Sequence, residues 1–121
     1  MKTNSHKSPV GVFVSAYVHE DYCYAKMANG LTSVFPTSSD EYDQIVTGGV
    51  PTDDLALGQH LRWAEVRSLR DTKLAATDWT QLPDVPDETS SLWAQYRKDL
   101  RDVTDQSDPF SVIWPVPPVA K

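Results

Sequence analysis

Between positions 10 and 18 the chain alternates: Val10, Val12, Val14, Ala16 and Val18 fall on one side, Gly11, Phe13, Ser15 and Tyr17 on the other. A period of two, filled with β-branched and aromatic side chains, predicts a strand. Apolar groups stand on both sides, so this strand is expected to be covered on both faces or to lie at an interface. His19-Glu20-Asp21 reads as a polar turn and Tyr22 to Met27 as a second strand. Asn29-Gly30 is the sharpest turn signal in the chain, since both residue types accept positive φ. Leu31 to Phe35 reads as a third strand, stopped by Pro36. Residues 9–36 therefore predict a small antiparallel meander.

Beyond Pro36 the period changes. Ser38-Ser39-Asp40-Glu41 has capping-box spacing, with Ser38 as the expected cap and Glu41 reaching back. A short helix from Ser39 to Val46 follows, ended by Gly48-Gly49. The longest helix is expected to start after Thr52 or Asp53 as the cap and to run to about Ala76. Its apolar residues divide between two sides. Leu55, Trp63, Val66, Leu69 and Ala76 share one, and Leu57, Leu61, Ala64 and Ala75 lie nearly opposite. Asp78 and Gln81 allow a single helical turn, which Pro83 ends at Leu82. A further helix is expected from Asp87 to Thr104, with Leu92, Trp93, Tyr96, Leu100 and Val103 on one face. Two helices joined through a proline-bearing connector predict an antiparallel hairpin.

The predicted class is α+β. Residues 1–8 form a disordered start, and 9–50 a β-meander with a short helix. Residues 51–106 form the helical hairpin, and 107–121 an extended proline-rich tail. That tail contains Phe110, Val112, Ile113 and Trp114, of which the aromatic residues are expected to dock while the end stays extended.

Composition narrows the function classes. The 121 residues carry a formal charge of −6, which disfavours binding to phosphate backbones. Basic residues are interleaved with acidic ones along both long helices, as on solvated faces. Arg67, Arg70 and Asp71 are read as a group that pairs with the interhelix connector. The lone cysteine, Cys23, permits no internal disulfide. The apolar stretch near the start lacks the cleavage site of a signal peptide, and no segment approaches a membrane span. His6, His19 and His60 are widely separated. His19 with Cys23 forms neither a convincing metal set nor a nucleophile pair, and there is no glycine-rich phosphate loop. No catalytic residue, cofactor, metal or small-molecule substrate is expected. Four tryptophans are many for this length. Trp93 reads as core, whereas Trp79 in the connector and Trp114 beside the proline-rich end are placed to anchor an interface.

The run Arg67-x-x-Arg70-Asp71-x-x-Leu74-Ala75-Ala76-Thr77-Asp78-Trp79-Thr80-Gln81-Leu82-Pro83-Asp84 resembles the phage tail assembly chaperone family. The resemblance continues through Trp93-x-x-Tyr96-Arg97-x-x-Leu100-Arg101-Asp102 and closes with Trp114-Pro115 and Pro118. It spans residues 60–118, and the Thr77-to-Asp84 run is its most specific part. Lys73 departs from the pattern at a position where relatives often carry a second leucine. Such segments also occur fused to tail fibre proteins. The resemblance implies a tail fibre assembly chaperone that is not an enzyme. It would bind the C-terminal region of a trimeric tail fibre protein and assist its folding or trimerisation. Its place would be the host bacterial cytoplasm during assembly, or the virion tail fibre if it is retained there. The alternative is a structural minor tail or fibre-tip component, and a third class is a binding protein aimed at a host target. Residues 9–50 lie outside the resemblance. Their two-sided strand suggests a surface for another chain, because uncovered strands recruit partners. The candidate partner-binding residues are Val12, Val14, Tyr17, Trp63, Trp79, Leu82 and Trp114.

Overall fold

The computed structural model describes residues 12–118. The disordered start expected for residues 1–8, and Val10 and Gly11 of the expected first strand, lie outside the described residues, as do positions 119–121 of the expected tail. The architecture is α+β: a three-stranded antiparallel sheet followed by helices. The chain divides into two compact units, residues 1–61 and 62–121.

In the first unit the strands β1 (Phe13–His19), β2 (Tyr22–Met27) and β3 (Thr32–Pro36) pair in the order β1-β2-β3. Two tight turns set the register. Glu20 adopts φ 54° between β1 and β2, a left-handed conformation that few side chains accept. Between β2 and β3 only Gly30, at φ 90°, takes the left-handed conformation. Asn29 instead uses its side-chain oxygen to accept from the Leu31 amide at 3.0 Å.

The simple alternation of β1 is broken. Phe13 pairs with Met27 and Ser15 with Lys26, so Val14 is an extra residue in a bulge. A one-residue slip moves side chains to the other face. Phe13 thereby joins Ala16 on the core face, and Val12 and Val14 are exposed. The core comprises Phe13, Ala16, Cys23, Ala25, Phe35 and Ile45, with Val18, Met27, Tyr42 and Val50 packed against it. Ile45 comes from α1 (Asp40–Thr47). The cap of α1 is Ser39, whose hydroxyl accepts from the Tyr42 amide at 3.2 Å, and not Ser38 as the sequence spacing suggests. Ser39 is the residue with extended backbone at the junction, which is what a cap requires.

The outer edge of β1 is covered, and its second face is covered at Tyr17. Pro51 to Asp54 runs along its outer edge: the Ala16 amide donates to the Pro51 carbonyl, and the Asp54 amide to the Ala16 carbonyl, both at 2.9 Å. The first turns of α2 (Leu55–Ala76) then meet Tyr17 at Gly58. A Cβ at position 58 would lie 2.7 Å from Tyr17 Cγ and 2.8 Å from its Cβ, so only glycine permits this approach. Asp54, not Thr52 or Asp53, caps α2 by accepting from the Leu57 amide at 3.1 Å.

The second unit holds most of α2, a 3-10 turn (Asp78–Gln81), α3 (Asp87–Arg101) and two further 3-10 turns, Asp102–Asp105 and Pro109–Ser111. The helix expected to reach Thr104 ends at Arg101 and tightens into the second of these turns. The two apolar sides expected of α2 are not both buried. Its inward stripe is Gly58, Val66 and Leu74 with Arg62 and Arg70 between them, while Leu69, Ala64 and Ala75 face solvent. On α3, Tyr96 and Leu100 are buried, as is Val103 just beyond it, whereas Leu92 is exposed. The aromatic residues of the tail, Phe110 and Trp114, are partly buried, as expected. Phe110, Val112 and Trp114 are half-buried, but Ile113 is exposed, and residues 112–118 have no regular structure. Gln106 closes the loop before the tail: its side-chain amide donates to the Ile113 carbonyl and accepts from the Ile113 amide, both at 2.9 Å.

Candidate functional site

The junction between α2 and α3 concentrates the second unit's polar and aromatic contacts. Helix α2 ends at Ala76 with carbonyls that have no intrahelical donor, and these carry partial negative charge. Arg97 of α3 meets them. Its Nη1 donates to the Leu74 carbonyl and to Thr77 Oγ1, both at 2.8 Å, and its Nη2 lies 3.0 Å from Asp78 Oδ1. The guanidinium suits this work because its planar fork reaches several acceptors at once. The pairing expected of Arg67, Arg70 and Asp71 with the connector does not form. Arg70 Nε instead bonds its neighbour Asp71 at 3.1 Å, and Arg67 is exposed. Arg97, on the other helix, takes that place.

Two buried hydroxyls complete the elbow. Thr77 Oγ1, accepting from Arg97, donates in turn to the Leu74 carbonyl at 3.0 Å. Thr80, fully buried, donates to the Thr77 carbonyl at 2.7 Å and accepts from Gln81 Nε2 at 3.0 Å. Gln81 Nε2 also reaches the Ser90 carbonyl at 3.2 Å, tying the turn to the start of α3. No buried side-chain polar atom among the described residues lacks a partner, as a well-formed polar network requires.

The aromatic residues form a ladder on this frame. Trp79 and Trp93 have ring centroids 6.1 Å apart, and Trp93 meets Tyr96 edge to face at 5.6 Å. These are favourable arrangements for ring quadrupoles. Tyr96 is buried and Trp93 half-buried, but Trp79 is 52% exposed, and Leu82 just beyond it is 54% exposed. At Leu82 the backbone is already extended (ψ 152°) before Pro83, which turns the side chain's segment away from helical continuation. Lys73, the departure from the family pattern, places its ammonium 5.2 Å from the ring centre of Trp114. Arg62 Nε donates to the Pro109 carbonyl at 3.2 Å and so holds the start of the tail.

The sequence-predicted binding residues therefore occupy two separate units. Val12, Val14 and Tyr17 lie in the first. Val12 and Val14 are exposed at the bulge, and Tyr17 is half-buried against Gly58. Trp63, Trp79, Leu82 and Trp114 lie in the second. Trp79 and Leu82 share the exposed elbow, and Trp63 and Trp114 are half-buried. Cys23 is fully buried in the sheet, and burial pushes its thiol up to about 11, away from a reactive thiolate. Among the described residues no group of three or more His, Cys, Asp or Glu is placed to hold a metal ion. No described helix is long and apolar enough to cross a membrane.

Residues 63–119 match the family model of the phage tail assembly chaperone protein. The matched segment begins one residue inside the second unit and includes the whole elbow. No curated protein and no solved structure matches the chain.

Proposed function

From the match of residues 63–119 to the family model of the phage tail assembly chaperone protein, we propose that the chain binds a tail fibre protein and assists its folding or trimerisation. The family indicates a chaperone of tail assembly with a phage tail protein as its partner. The finer reading concerns which tail protein and which surface. The observation that carries it is the exposed pair Trp79 and Leu82, held on a rigid elbow in the middle of the family segment. Large apolar groups exposed on a rigid frame bind at low conformational cost, and tryptophan is prominent among residues that dominate interfaces. In this reading Trp79 and Leu82 are the anchor, and Trp63 and Trp114 are further contacts in the same unit. Val12, Val14 and Tyr17 form a second contact on the sheet. The ligand is the C-terminal region of a trimeric fibre, and the encounter takes place in the host cytoplasm. The chain supplies a binding surface and no chemical step.

Co-expression with the phage's tail fibre protein tests this. The two are expected to co-elute in size-exclusion chromatography, and the yield of trimeric fibre should fall when the chain is omitted. Trp79→Ala with Leu82→Ala should weaken co-elution while the chain's own unfolding midpoint changes little. A fibre that trimerises to the same yield alone, and never co-elutes, would remove the proposal.

A further inference from the structure

On the second unit, sharing Tyr96 with the aromatic ladder, α3 and the proline-rich tail enclose an open groove of about 470 Å³. That volume lies in the range of binding clefts. Its apolar lining is Leu92, Tyr96, Val116 and Pro118. Leu92 is 56% exposed and Val116 84% exposed, so the groove is unfilled by the chain's own described residues. Glu88 and Asp99 are its charged lining residues. Neither carboxylate is paired with a cation among the described residues.

The backbone of the walls says how an occupant is held. Along the tail wall Pro115, Pro117 and Pro118 have no amide hydrogen, and the amides of α3 are used within the helix. Neither wall can extend a sheet, so β-strand addition is ruled out and recognition falls to side chains. An apolar floor with side-chain recognition is the arrangement that takes the apolar face of an amphipathic helix. Glu88 and Asp99, the latter accepting from Gln95 Nε2 at 2.9 Å but held by no cation among the described residues, select lysine or arginine beside that face.

We propose that this groove is a docking site for a basic amphipathic helix of the tail protein partner, with apolar residues against Leu92, Tyr96 and Val116 and cations against Glu88 and Asp99. The proposal rests on the chaperone reading for the identity of the partner, but its chemistry can be tested alone. The probe is a synthetic amphipathic helix of leucine and lysine, compared with one in which glutamate replaces lysine, titrated into the full-length chain and followed by amide chemical shifts. The leucine–lysine peptide should shift Leu92, Tyr96 and Val116. It should bind about tenfold more tightly than the leucine–glutamate peptide, the effect of two partly screened charge pairs. Glu88→Lys with Asp99→Lys should reverse that preference. Val116→Asp, in a segment without regular structure, should abolish binding of the leucine–lysine peptide without touching α3. Equal affinity for the two peptides, or shifts confined to other surfaces, would overturn the proposal. So would concentration-dependent broadening of the groove amides without peptide, because that would mean the occupant is a second copy of this chain. If the tail fibre co-elutes equally with the wild type and the Glu88→Lys/Asp99→Lys variant, the groove fails and the chaperone reading stands. If it co-elutes with neither while the peptide result holds, the groove stands and the chosen partner is wrong.

Discussion

Replacing Arg97 with alanine should unfold the second unit well before the first. The side chain is 16% exposed and makes three contacts, with the Leu74 carbonyl, Thr77 Oγ1 and Asp78 Oδ1. They are unequal. Asp78 is 69% exposed, so the ion pair itself contributes no more than about 1 kcal/mol. The two hydrogen bonds come from a charged donor in a half-buried setting, where such bonds contribute about 1.5–3 kcal/mol. Removing the donor does not leave the acceptors bare. The Leu74 carbonyl still accepts from the Thr77 amide and Thr77 Oγ1, both at 3.0 Å. The full penalty of orphaned groups is therefore avoided, and the net loss should be about 2–3 kcal/mol.

The tryptophans provide the assay. Trp63, Trp79, Trp93 and Trp114 all lie in residues 62–121, so their emission reports the unfolding of that unit. With a urea dependence of about 1–3 kcal/mol per molar, the midpoint should fall by about 0.7–3 M. Arg97→Lys should fall between wild type and alanine, because an ammonium keeps the charge but cannot satisfy three acceptors in a plane. A loss under about 0.5 kcal/mol for alanine, the size of an ordinary surface change, would refute the claim that Arg97 holds the elbow. Lysine behaving like wild type would refute the part played by the guanidinium fork.

Other substitutions probe the remaining parts. Gly58→Ala gains helix propensity but drives a methyl group into Tyr17, so the first unit should lose about 1–3 kcal/mol by circular dichroism melting. Combining it with Tyr17→Ala should recover part of that loss, and a stabilised single variant would contradict the close approach. Leu100→Ala, at a fully buried position of α3, should cost about 2–5 kcal/mol in the tryptophan-detected transition. Trp79→Ala removes one ring of an aromatic pair and should cost only about 0.5–1.5 kcal/mol. Its effect on fibre co-elution should be larger than that. For Cys23 burial raises the thiol from 9.0 to about 11, so the folded state favours the neutral form. That contribution is complete below pH 9 and is lost as the pH rises through about 11, a change of about 2–3 kcal/mol. Cys23→Ala should remove this part of the alkaline destabilisation. An unchanged pH slope in the variant would count against the cause.

The elements were largely legible from periodicity and punctuation, because those signals are local. Tyr22–Met27 has the bounds expected between the polar turn at 19–21 and the Asn29-Gly30 turn, and the Asp78–Gln81 turn appears where acid and amide spacing placed it. The failures occur where a tertiary contact decided the matter. Strict alternation put Val14 in line with Ala16, but filling the core with Phe13 required a bulge, and a bulge has no signature in a pattern of period two. The two apolar sides of α2 suggested two packing partners. In the folded chain Gly58 supplies a contact that hydrophobicity alone does not register, and several of the apolar residues are left in solvent. Each cap lay one or two residues from its expected place, because serine and aspartate recur there in tandem and only backbone geometry chooses among them.

The same distinction clarifies the family segment. Within Thr77-Asp78-Trp79-Thr80-Gln81-Leu82, the polar residues are accounted for by the fold. Thr77 and Asp78 receive Arg97, Thr80 caps the turn from inside, and Gln81 holds Ser90. None of them needs a partner to explain its place. The sequence offered Arg67 and Arg70 for this work because they are near the connector in the chain. Arg97 does it because the connector folds α3 back to within bonding distance, some twenty residues away in sequence. What the fold leaves unused is apolar: about half of Trp79 and about half of Leu82. A rigid polar elbow that displays two large apolar groups is costly in solvent unless something covers them. The polar half of the motif therefore reads as the support, and the apolar half as the part that the proposed partner would cover.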